Sequence, residues 1–272
     1  MKVALVTGAS TGLGRQIAGH LARHGYRVFG TSRRPLSETL DGFELLPLDV
    51  TSDASAAACV QTVLARAGRL DILVNNAGVE FLGAAEEASI EEARWAFETN
   101  FFGVMRMTQA VLPHLRARRQ GLIVCISSLG GLGGGPFQGI YIATKHALEG
   151  YIESLWYEVE PLGIRVALVE PGFFRSEIGQ RKRLPARTIP DYAAARARVF
   201  ARWEHLLAAS PDPAPVAKTV LAICDGRSTR LRHLVGRETR LSRLKLVIPE
   251  WLVRWHIRRM FGLDGPPRRR LR

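Results

Sequence analysis

The chain has 272 residues, 47% of them hydrophobic, and a formal net charge of +13. That length and apolar content suit one α/β domain with a large core, and no apolar run approaches the roughly 18–20 residues that span a bilayer. We therefore expect no membrane-spanning segment. Because Lys2 leads straight into an apolar strand, we also expect no signal peptide.

Short apolar segments alternate with longer helical segments along the first 170 residues. The predicted strands are 2–7, 26–31, 43–48, 71–75, 121–126 and 164–170, and the predicted helices are 12–24, 53–67, 89–117 and 139–162. Beyond residue 172 the pattern predicts helices at 191–209 and 213–225 and a last strand at 232–236. This order is typical of a parallel sheet with helices on both faces. We predict a doubly wound α/β Rossmann-type domain over residues 1–240, followed by a C-terminal helical extension over 241–272.

The first predicted strand runs directly into a glycine-rich turn, TGASTGLG, and then into a helix. The glycines follow the pattern TGxxxGxG, with Gly8 at the exit from the strand and Gly12 and Gly14 at the start of the helix. Backbone N–H groups at such a helix start can bind a pyrophosphate, and the glycines allow phosphates and helix to approach closely. The turn therefore predicts a dinucleotide site, although a glycine-rich turn without a ligand is the alternative.

Tyr141 and Lys145 lie four residues apart in the predicted helix 139–162, so they project from the same face. A phenol has a reference pKa of about 10, and acid–base work near neutrality needs a shift of roughly 2–3 units. One cation at about 4 Å supplies on the order of 4 kcal/mol at an effective dielectric near 20. We therefore expect Lys145 to lower the pKa of Tyr141 enough for proton transfer.

Three cysteines, Cys59, Cys125 and Cys224, are scattered along the chain and show no spacing typical of a metal site. This usage indicates a reduced compartment, so we predict a cytoplasmic protein and no metal. Cys125 lies in the apolar segment LIVCIS and is interpreted as a small core residue.

Seven motifs occur in the order and at the spacings of one protein family. They are TGASTGLG at Thr7–Gly14, Asp49, NNAG at Asn75–Gly78, Asn100, Ser128, YxxxK at Tyr141–Lys145, and Pro171-Gly172. The chain thus resembles the short-chain dehydrogenases/reductases over about residues 1–172. Thr144 departs from the family, which usually has Ser before the lysine, but it keeps a hydroxyl. The segment around Ser128 resembles the branch that acts on steroids and retinoids.

The resemblance implies a role for each catalytic candidate. Tyr141 would exchange a proton with the substrate oxygen, and Lys145 would also bind the nicotinamide ribose. Ser128, thirteen residues before Tyr141, would hold the substrate oxygen, with its neighbour Ser127 as the alternative. Asn100 would lie in a locally distorted helix and hold a water that links Lys145 to solvent.

The resemblance also implies a nicotinamide cofactor, and the end of the second strand indicates which one. NAD enzymes normally place an acid there, whereas this chain has Ser32 followed by Arg33, which can pair with a 2′-phosphate. We therefore predict NADP(H), with Arg33 as a solvated loop charge being the alternative. Asp49 would contact the adenine, unless it is only a turn or cap residue. The full predicted cofactor set is Gly8, Ser10, Thr11, Gly12, Leu13, Gly14, Ser32, Arg33, Asp49, Val50, Asn76, Ala77, Gly78, Tyr141, Lys145, Pro171 and Gly172.

Residues 173–215 cover the region where the family closes a loop over its substrate. Phe173, Phe174 and Ile178 would line an apolar pocket or simply anchor the loop. We expect a bulky hydrophobic alcohol or ketone, such as a steroid, a retinoid or a polyketide-like molecule. The alternative function is a non-catalytic NADP-binding sensor or scaffold, including one that associates with a membrane surface.

The segment 241–272 combines nine lysine and arginine residues with two acidic ones, a net charge of +7, and many apolar residues between them. Such a composition is typical of an interfacial helix, but a helix that caps the substrate pocket is equally basic on its solvent side. We expect the cap, with peripheral membrane contact as a second possibility. No nucleic-acid motif accompanies the charge, so we expect no nucleic-acid partner. In the family the two long helices, here 89–117 and 139–162, form a homodimer or homotetramer.

Overall fold

The computed structural model describes residues 1–34, 41–175, 182–242 and 248–263, with the backbone alone at 240–242. Within these residues seven parallel strands form one sheet. The strands are β1 (Val3–Val6), β2 (Arg27–Ser32), β3 (Glu44–Pro47), β4 (Ile72–Asn75), β5 (Gly121–Ile126), β6 (Ile164–Pro171) and β7 (Arg232–Val235). Their order across the sheet is β3-β2-β1-β4-β5-β6-β7. The order reverses at β1, which pairs with both β2 and β4, and such a reversal opens a crevice at the carboxyl ends of the strands.

Helices cover both faces of the sheet. They are α1 (Gly12–Arg23), α2 (Asp53–Ala67), α3 (Ile90–Phe97), α4 (Gly103–Ala117), α5 (Gly139–Val159), α6 (Ala193–Ala208), α7 (Ala214–Cys224), α8 (Arg237–Ser242) and α9 (Glu250–Met260). Helices α2, α4 and α5 pack on one face through residues such as Val60, Met107 and Ile152. Helices α1 and α7 pack on the other through Ile17 and Val220. These two apolar layers make the core and confirm the doubly wound α/β fold.

The long helix predicted over 89–117 is present but changes pitch in its middle. Residues Glu98–Phe102 form a π-helical turn between α3 and α4. The helix predicted over 139–162 ends as a 3₁₀ turn at Glu160–Leu162. α8 crosses the boundary predicted at residue 240, and α9 lies within the predicted extension. No described helix has the length and apolar character needed to cross a membrane.

All three cysteines are buried. Cys59 lies on α2, Cys125 near the end of β5 and Cys224 at the end of α7. Burial raises the pKa of each thiol to about 12. Cys125 is fully buried in the core, as its apolar context predicted.

Candidate active site

A cavity of about 1670 Å³ opens at the carboxyl ends of the strands. Every residue of the predicted cofactor set lines it, as do Ser127 and Ser128. Asn100 is buried outside the cavity wall. The sheet thus brings together side chains that are separated by up to about 160 residues in sequence, because parallel strands end at a common edge.

The glycine turn is shaped by close backbone contacts. Gly8 adopts a φ of +66°, and a Cβ on Gly14 would lie 2.3 Å from the Gly8 carbonyl oxygen. Any side chain at Gly14 would therefore push α1 away from the strand. The Thr11 side chain does not cap α1, and the first turn carries no acidic residue. The first N–H groups of this helix are thus available to an anion at the cavity wall.

Thr7 and Asn76 fix this turn to the NNAG segment. The buried Thr7 hydroxyl accepts hydrogen bonds from the backbone N–H groups of Asn76 and Ala77, both at 2.9 Å. The Asn76 amide in return donates to the carbonyl oxygens of Thr7 at 2.9 Å and Gly8 at 3.2 Å. The NNAG segment therefore supports the glycine turn as well as lining the cavity.

At the far end of the cavity, β2 ends at Ser32, and Arg33 follows on the exposed rim. Ser32 Oγ accepts a hydrogen bond of 3.2 Å from the backbone N–H of Arg34. Asp49 accepts from both the backbone N–H and the hydroxyl of Thr51, at 2.9 and 2.8 Å. These bonds lower the pKa of Asp49, to which the charge of Arg33 adds a smaller effect. Asp49 is thus a turn residue that also lines the cavity, while Ser52 caps α2.

Ser128, Tyr141 and Lys145 lie along one stretch of the cavity wall. Ser128 follows β5, and its Oγ accepts from the Gly130 N–H at 3.0 Å. Lys145 Nζ donates to the Ile126 carbonyl oxygen at 3.0 Å and lies 5.9 Å from the centre of the Tyr141 ring. The three side chains therefore meet where β5 ends and α5 begins.

The pKa of Tyr141 moves in the opposite direction from the one predicted. Burial raises it to about 12; a hydrogen bond with Ser128 acts to lower it, and the charge of Glu80 acts to raise it. Burial lowers the pKa of Lys145 to about 8. The prediction was wrong for this structure, because Lys145 is bound to a backbone carbonyl and burial dominates at the phenol.

Asn100 lies in the π-helical turn, which confirms the predicted distortion of this helix. Its Oδ1 accepts from the Val79 N–H at 2.8 Å, and its Nδ2 donates to the Val79 carbonyl at 2.9 Å. Nδ2 also donates to Thr144 Oγ1, which itself donates to the Tyr141 carbonyl. The side chain of Asn100 is therefore engaged in structural contacts, and its predicted role in holding a water stays a prediction.

Sequence reasoning missed a buried ionic cluster behind the site. Arg232 on β7 pairs with Glu149 on α5 and, at 3.1 Å, with Glu170 on β6. Glu149 lies one turn after Lys145; burial raises its pKa, and Ser127 acts to lower it. Ser127 and Ser128 both line the cavity, so the choice of Ser128 over Ser127 stays a prediction. No sequence spacing links Arg232 to these two glutamates.

The segment that follows residue 181 is held by acidic side chains that sequence reasoning also missed. Glu92 accepts from the backbone N–H of Ala186 and Glu87 from that of Ile189, at 2.9 and 2.8 Å. Glu87 also pairs with Arg196 of α6. These contacts hold the backbone at Ala186 and Ile189 against α3 and the turn that precedes it.

Aromatic residues close the other side of the cavity. Trp203 of α6 packs against Phe173 and Phe261, with ring centres 5.6 and 4.8 Å apart. Phe174 also lines the cavity and packs into the core, whereas Ile178 lies outside the described residues. Helix α9 lines the cavity through six of its residues, which are Leu252, Val253, Trp255, His256, Ile257 and Met260. The C-terminal segment therefore folds back over the cavity.

Comparisons with known proteins agree with this geometry. Residues 2–186 match the family model described as short chain dehydrogenase. The chain is 46% identical over 175 residues to the 3-ketodihydrosphingosine reductase of Bacteroides thetaiotaomicron, covering 64% of this chain and 65% of that protein. It is 41% identical over 184 residues to retinol dehydrogenase 8 of Bos taurus, covering 63% and 58%. The match thus spans less than two thirds of the length of either relative.

Two solved structures are also similar over most of the chain. A short-chain dehydrogenase from Streptomyces avermitilis superposes with a TM-score of 0.80 at 37% identity, covering 97% of this chain and 98% of that one. ElxO with NADP bound superposes with a TM-score of 0.71 at 26% identity, covering 86% and 96%.

Proposed function

Because the chain belongs to the short-chain dehydrogenase/reductase family, we propose that it is an NADP(H)-dependent oxidoreductase acting on a bulky hydrophobic ketone or secondary alcohol. The observation that carries the proposal is the shared cavity wall of Ser128, Tyr141 and Lys145 next to the glycine turn. A non-catalytic sensor would not need this set of three. No observation favours that alternative.

The cavity fits a dinucleotide on its own contacts. Gly8, Gly12 and Gly14 line the cavity without side chains, and the uncapped start of α1 offers N–H donors to a pyrophosphate. Bound there, NADP(H) would supply or accept the hydride. Asp49 and Val50 would border the adenine, and Pro171 and Gly172 the nicotinamide end.

The residues at the end of β2 favour NADP(H) over NAD(H). Ser32 stands where an acid would accept from a ribose 2′-hydroxyl, and the exposed guanidinium of Arg33 can bind a 2′-phosphate bidentately. The NADP bound in ElxO is consistent with this choice.

The residues of this chain would divide the proton chemistry among them. Ser128 would hold the substrate oxygen, and Tyr141 would give its proton to that oxygen during reduction. Lys145 would bind the nicotinamide ribose. In the reverse direction Tyr141 would have to act as a phenolate, and with a pKa of about 12 little phenolate forms near neutrality. The positive charge of the oxidised cofactor would favour the phenolate.

The substrate side supports a large apolar molecule. Phe173, Trp203, Phe261 and α9 form an apolar wall, and two of the relatives are named for 3-ketodihydrosphingosine and for retinol. We propose a hydrophobic carbonyl lipid as the substrate, with reduction as the first direction to test.

For assembly we propose at least a dimer. The contact would use the π-helical turn and α4 on one side and α5 on the other, where Phe102 and Tyr157 are exposed.

The experiment is a binding and turnover series on the purified full chain. Fluorescence titration with NADPH and NADH comes first, followed by NADPH consumption with ketones of increasing chain length. We expect tighter binding of NADPH and a kcat/KM that rises with chain length. Tighter NADH binding would overturn the cofactor assignment, and no turnover of any ketone or alcohol would overturn the function.

A further inference from the structure

Glu149 is a buried carboxyl group that lies behind the active site. The residue is 5% exposed, and unlike Lys145 it does not belong to the cavity wall. Its position four residues after Lys145 places both side chains on one face of α5. Burial lowers the pKa of Lys145 to about 8, while Cys125 and Glu149 act to raise it. Within the described residues, Glu149 is thus the carboxyl group whose charge acts on the lysine of the site.

Arg232 on β7 holds the carboxyl group of Glu149. The guanidinium pairs with Glu149 and, at 3.1 Å, with the fully buried Glu170 of β6. Its Nη2 also pairs at 3.1 Å with Glu153, which lies one turn further along α5 and is exposed. Arg232 and Lys145 therefore set two positive charges beside two buried carboxyl groups. The buried part of this cluster is balanced when both carboxyl groups are ionised.

Opposing effects act on the ionisation of Glu149. Burial raises its pKa, while Ser127, Arg232 and Lys145 act to lower it. A neutral Glu149 would leave the buried ammonium group of Lys145 without the anion beside it, and an uncompensated buried charge is expensive. We therefore expect Glu149 to be a carboxylate at pH 7 and above.

Glu149 also lies against the short turn that follows Ser128. Gly131 ends the 3₁₀ turn Leu129–Gly131, whose N-cap residue is Ser128. A Cβ on Gly131 would lie 2.8 Å from Ser127 Oγ and 2.9 Å from Glu149 Oε1. One carboxyl group therefore packs between this turn and the part of α5 that carries Lys145, which leaves it little freedom to move away.

We propose that Glu149 is a positioning residue for the proton chemistry: held by Arg232, its carboxylate keeps Lys145 in the ammonium form near neutral pH. An ammonium group has three N–H donors, enough for the Ile126 carbonyl oxygen and the ribose hydroxyls. Its charge also makes a neighbouring phenol such as Tyr141 a stronger acid. This inference rests on the proposed function and adds to it the group that sets the charge of Lys145.

The direct test follows Lys145 by NMR in the full-length protein without cofactor. The chain has five lysines, so the ¹³Cε signal of Lys145 can be assigned by its loss in Lys145→Arg. We expect a titration midpoint near pH 8 in the wild-type protein. Glu149→Gln should lower that midpoint by about 1 pH unit, since a nearby opposite charge shifts a pKa by at least roughly that amount.

Glu153→Gln is the matched control for this titration. It removes a carboxylate from the same helix that touches the same guanidinium at 3.1 Å, but from an exposed position. The midpoint of Lys145 should therefore stay where it is in the wild-type protein. Glu149→Asp keeps the charge and should restore most of the wild-type midpoint.

The kinetic test compares kcat/KM for ketone reduction with NADPH between pH 6 and pH 9. At pH 6 Lys145 is an ammonium group in both proteins, so Glu149→Gln and wild type should agree. As pH rises, the variant should fall behind by up to roughly tenfold, which is the ratio of ammonium fractions for a midpoint lowered by about 1 unit. A purely structural role of Glu149 would instead lower kcat/KM by the same factor at every pH.

The outcomes separate this inference from the proposed function. An unchanged Lys145 midpoint in Glu149→Gln, or a kinetic loss of equal size at every pH, would overturn the role of Glu149 and leave the reductase intact. Where Glu149→Gln does not fold, the ¹³C shift of the Glu149 carboxyl group in the wild-type protein decides: a carboxylate at pH 7 supports the role and a neutral group overturns it. Absence of turnover with every ketone would overturn the proposed function, whereas the NMR titration would still decide whether Glu149 sets the charge of Lys145.

Discussion

Asn100 donates a hydrogen bond of 3.1 Å to Thr144 Oγ1, which joins the π-helical turn to the start of α5. Thr144 is fully buried and donates onward to the carbonyl oxygen of Tyr141 at 2.7 Å. Through Asn100, the hydroxyl at position 144 therefore links the backbone that carries Tyr141 to Val79, which directly follows the NNAG segment. The family's usual serine would offer the same hydroxyl.

Thr144→Val should destabilise the protein by about 1–3 kcal/mol, because it keeps the volume but leaves buried polar groups without their partner. Thr144→Ser keeps the hydroxyl and should cost less, mainly through a lost methyl group. Urea denaturation of both variants measures the difference. Equal stability of the Val variant and wild type would show that this bond does not support the site.

Tyr141→Phe removes the proposed proton donor while changing little volume. We expect turnover to fall by roughly 10²–10⁴-fold or more, with NADPH affinity nearly unchanged, since the ribose contact is assigned to Lys145. Lys145→Ala should impair both turnover and NADPH binding. Turnover of the Phe variant at a rate close to wild type would refute the assigned chemistry.

Arg33→Ala should weaken NADPH binding more than NADH binding. The loss of a charge-assisted contact of about 1.5–3 kcal/mol corresponds to roughly 10–150-fold in Kd. Ser32→Asp should reduce NADPH affinity further, because its carboxylate repels the 2′-phosphate and accepts from a free ribose hydroxyl. Fluorescence titration of both variants with both cofactors checks this, and a parallel loss for NADH would argue against a 2′-phosphate contact.

Glu87→Gln should destabilise the protein most above pH 5. Burial alone would raise the pKa of Glu87, but hydrogen bonds from the Ile189 amide and Arg196 outweigh burial and hold the pKa below its ordinary value. A lowered folded-state pKa stabilises the protein above the unfolded pKa of about 4.3, and this contribution is lost as pH falls through the folded value. The difference between variant and wild type, measured by urea denaturation, should therefore shrink from pH 7 to pH 3.

The surface carboxylate of Glu91 provides the control for that titration. Glu91→Gln should change stability by less than about 1 kcal/mol at every pH, since exposed ion pairs contribute little. If the stability difference between Glu87→Gln and wild type stayed constant down to pH 3, the ionisation of Glu87 would not contribute to stability.

Substitutions of two aromatic residues near the C-terminal end distinguish a segment that caps the cavity from one that contacts a membrane. Phe261 is buried against Trp203, so Phe261→Ala should lower stability and raise KM for long-chain ketones. Trp251 on α9 is 69% exposed, so Trp251→Ala should leave both unchanged and affect only binding to anionic vesicles, if such binding occurs. Salt-sensitive vesicle binding by wild type, with unaltered kinetics in the Phe261 variant, would favour the membrane role over the cap.

The fold and most of the cavity wall were predictable, because both depend on local patterns. Apolar strands, the glycine turn and the Tyr141–Lys145 spacing each occupy a few consecutive residues, and the parallel sheet then brings the strand ends together. The distortion at Asn100 was predictable only through the family resemblance. Nothing in the segment ETNFF itself requires a π-helical turn.

The contacts that were missed join residues far apart in the chain. Arg232 meets Glu149 and Glu170 across 83 and 62 positions, and no spacing rule links them. The pKa of Tyr141 was mispredicted for a related reason: the i+4 pattern specifies a nearby cation, but burial by surrounding segments dominates.

The three buried thiols give this protein a set of internal reporters of local opening. Thiol reagents attack the thiolate, and groups with a pKa of about 12 that are shielded from solvent should react only when the surrounding structure opens. Cys59 and Cys125 belong to the layer under α2, α4 and α5, whereas Cys224 belongs to the layer under α1 and α7. The alkylation rate of each cysteine, resolved by mass spectrometry, would therefore measure how often each side of the sheet opens locally. Rates with and without cofactor would show how far cofactor binding suppresses that opening.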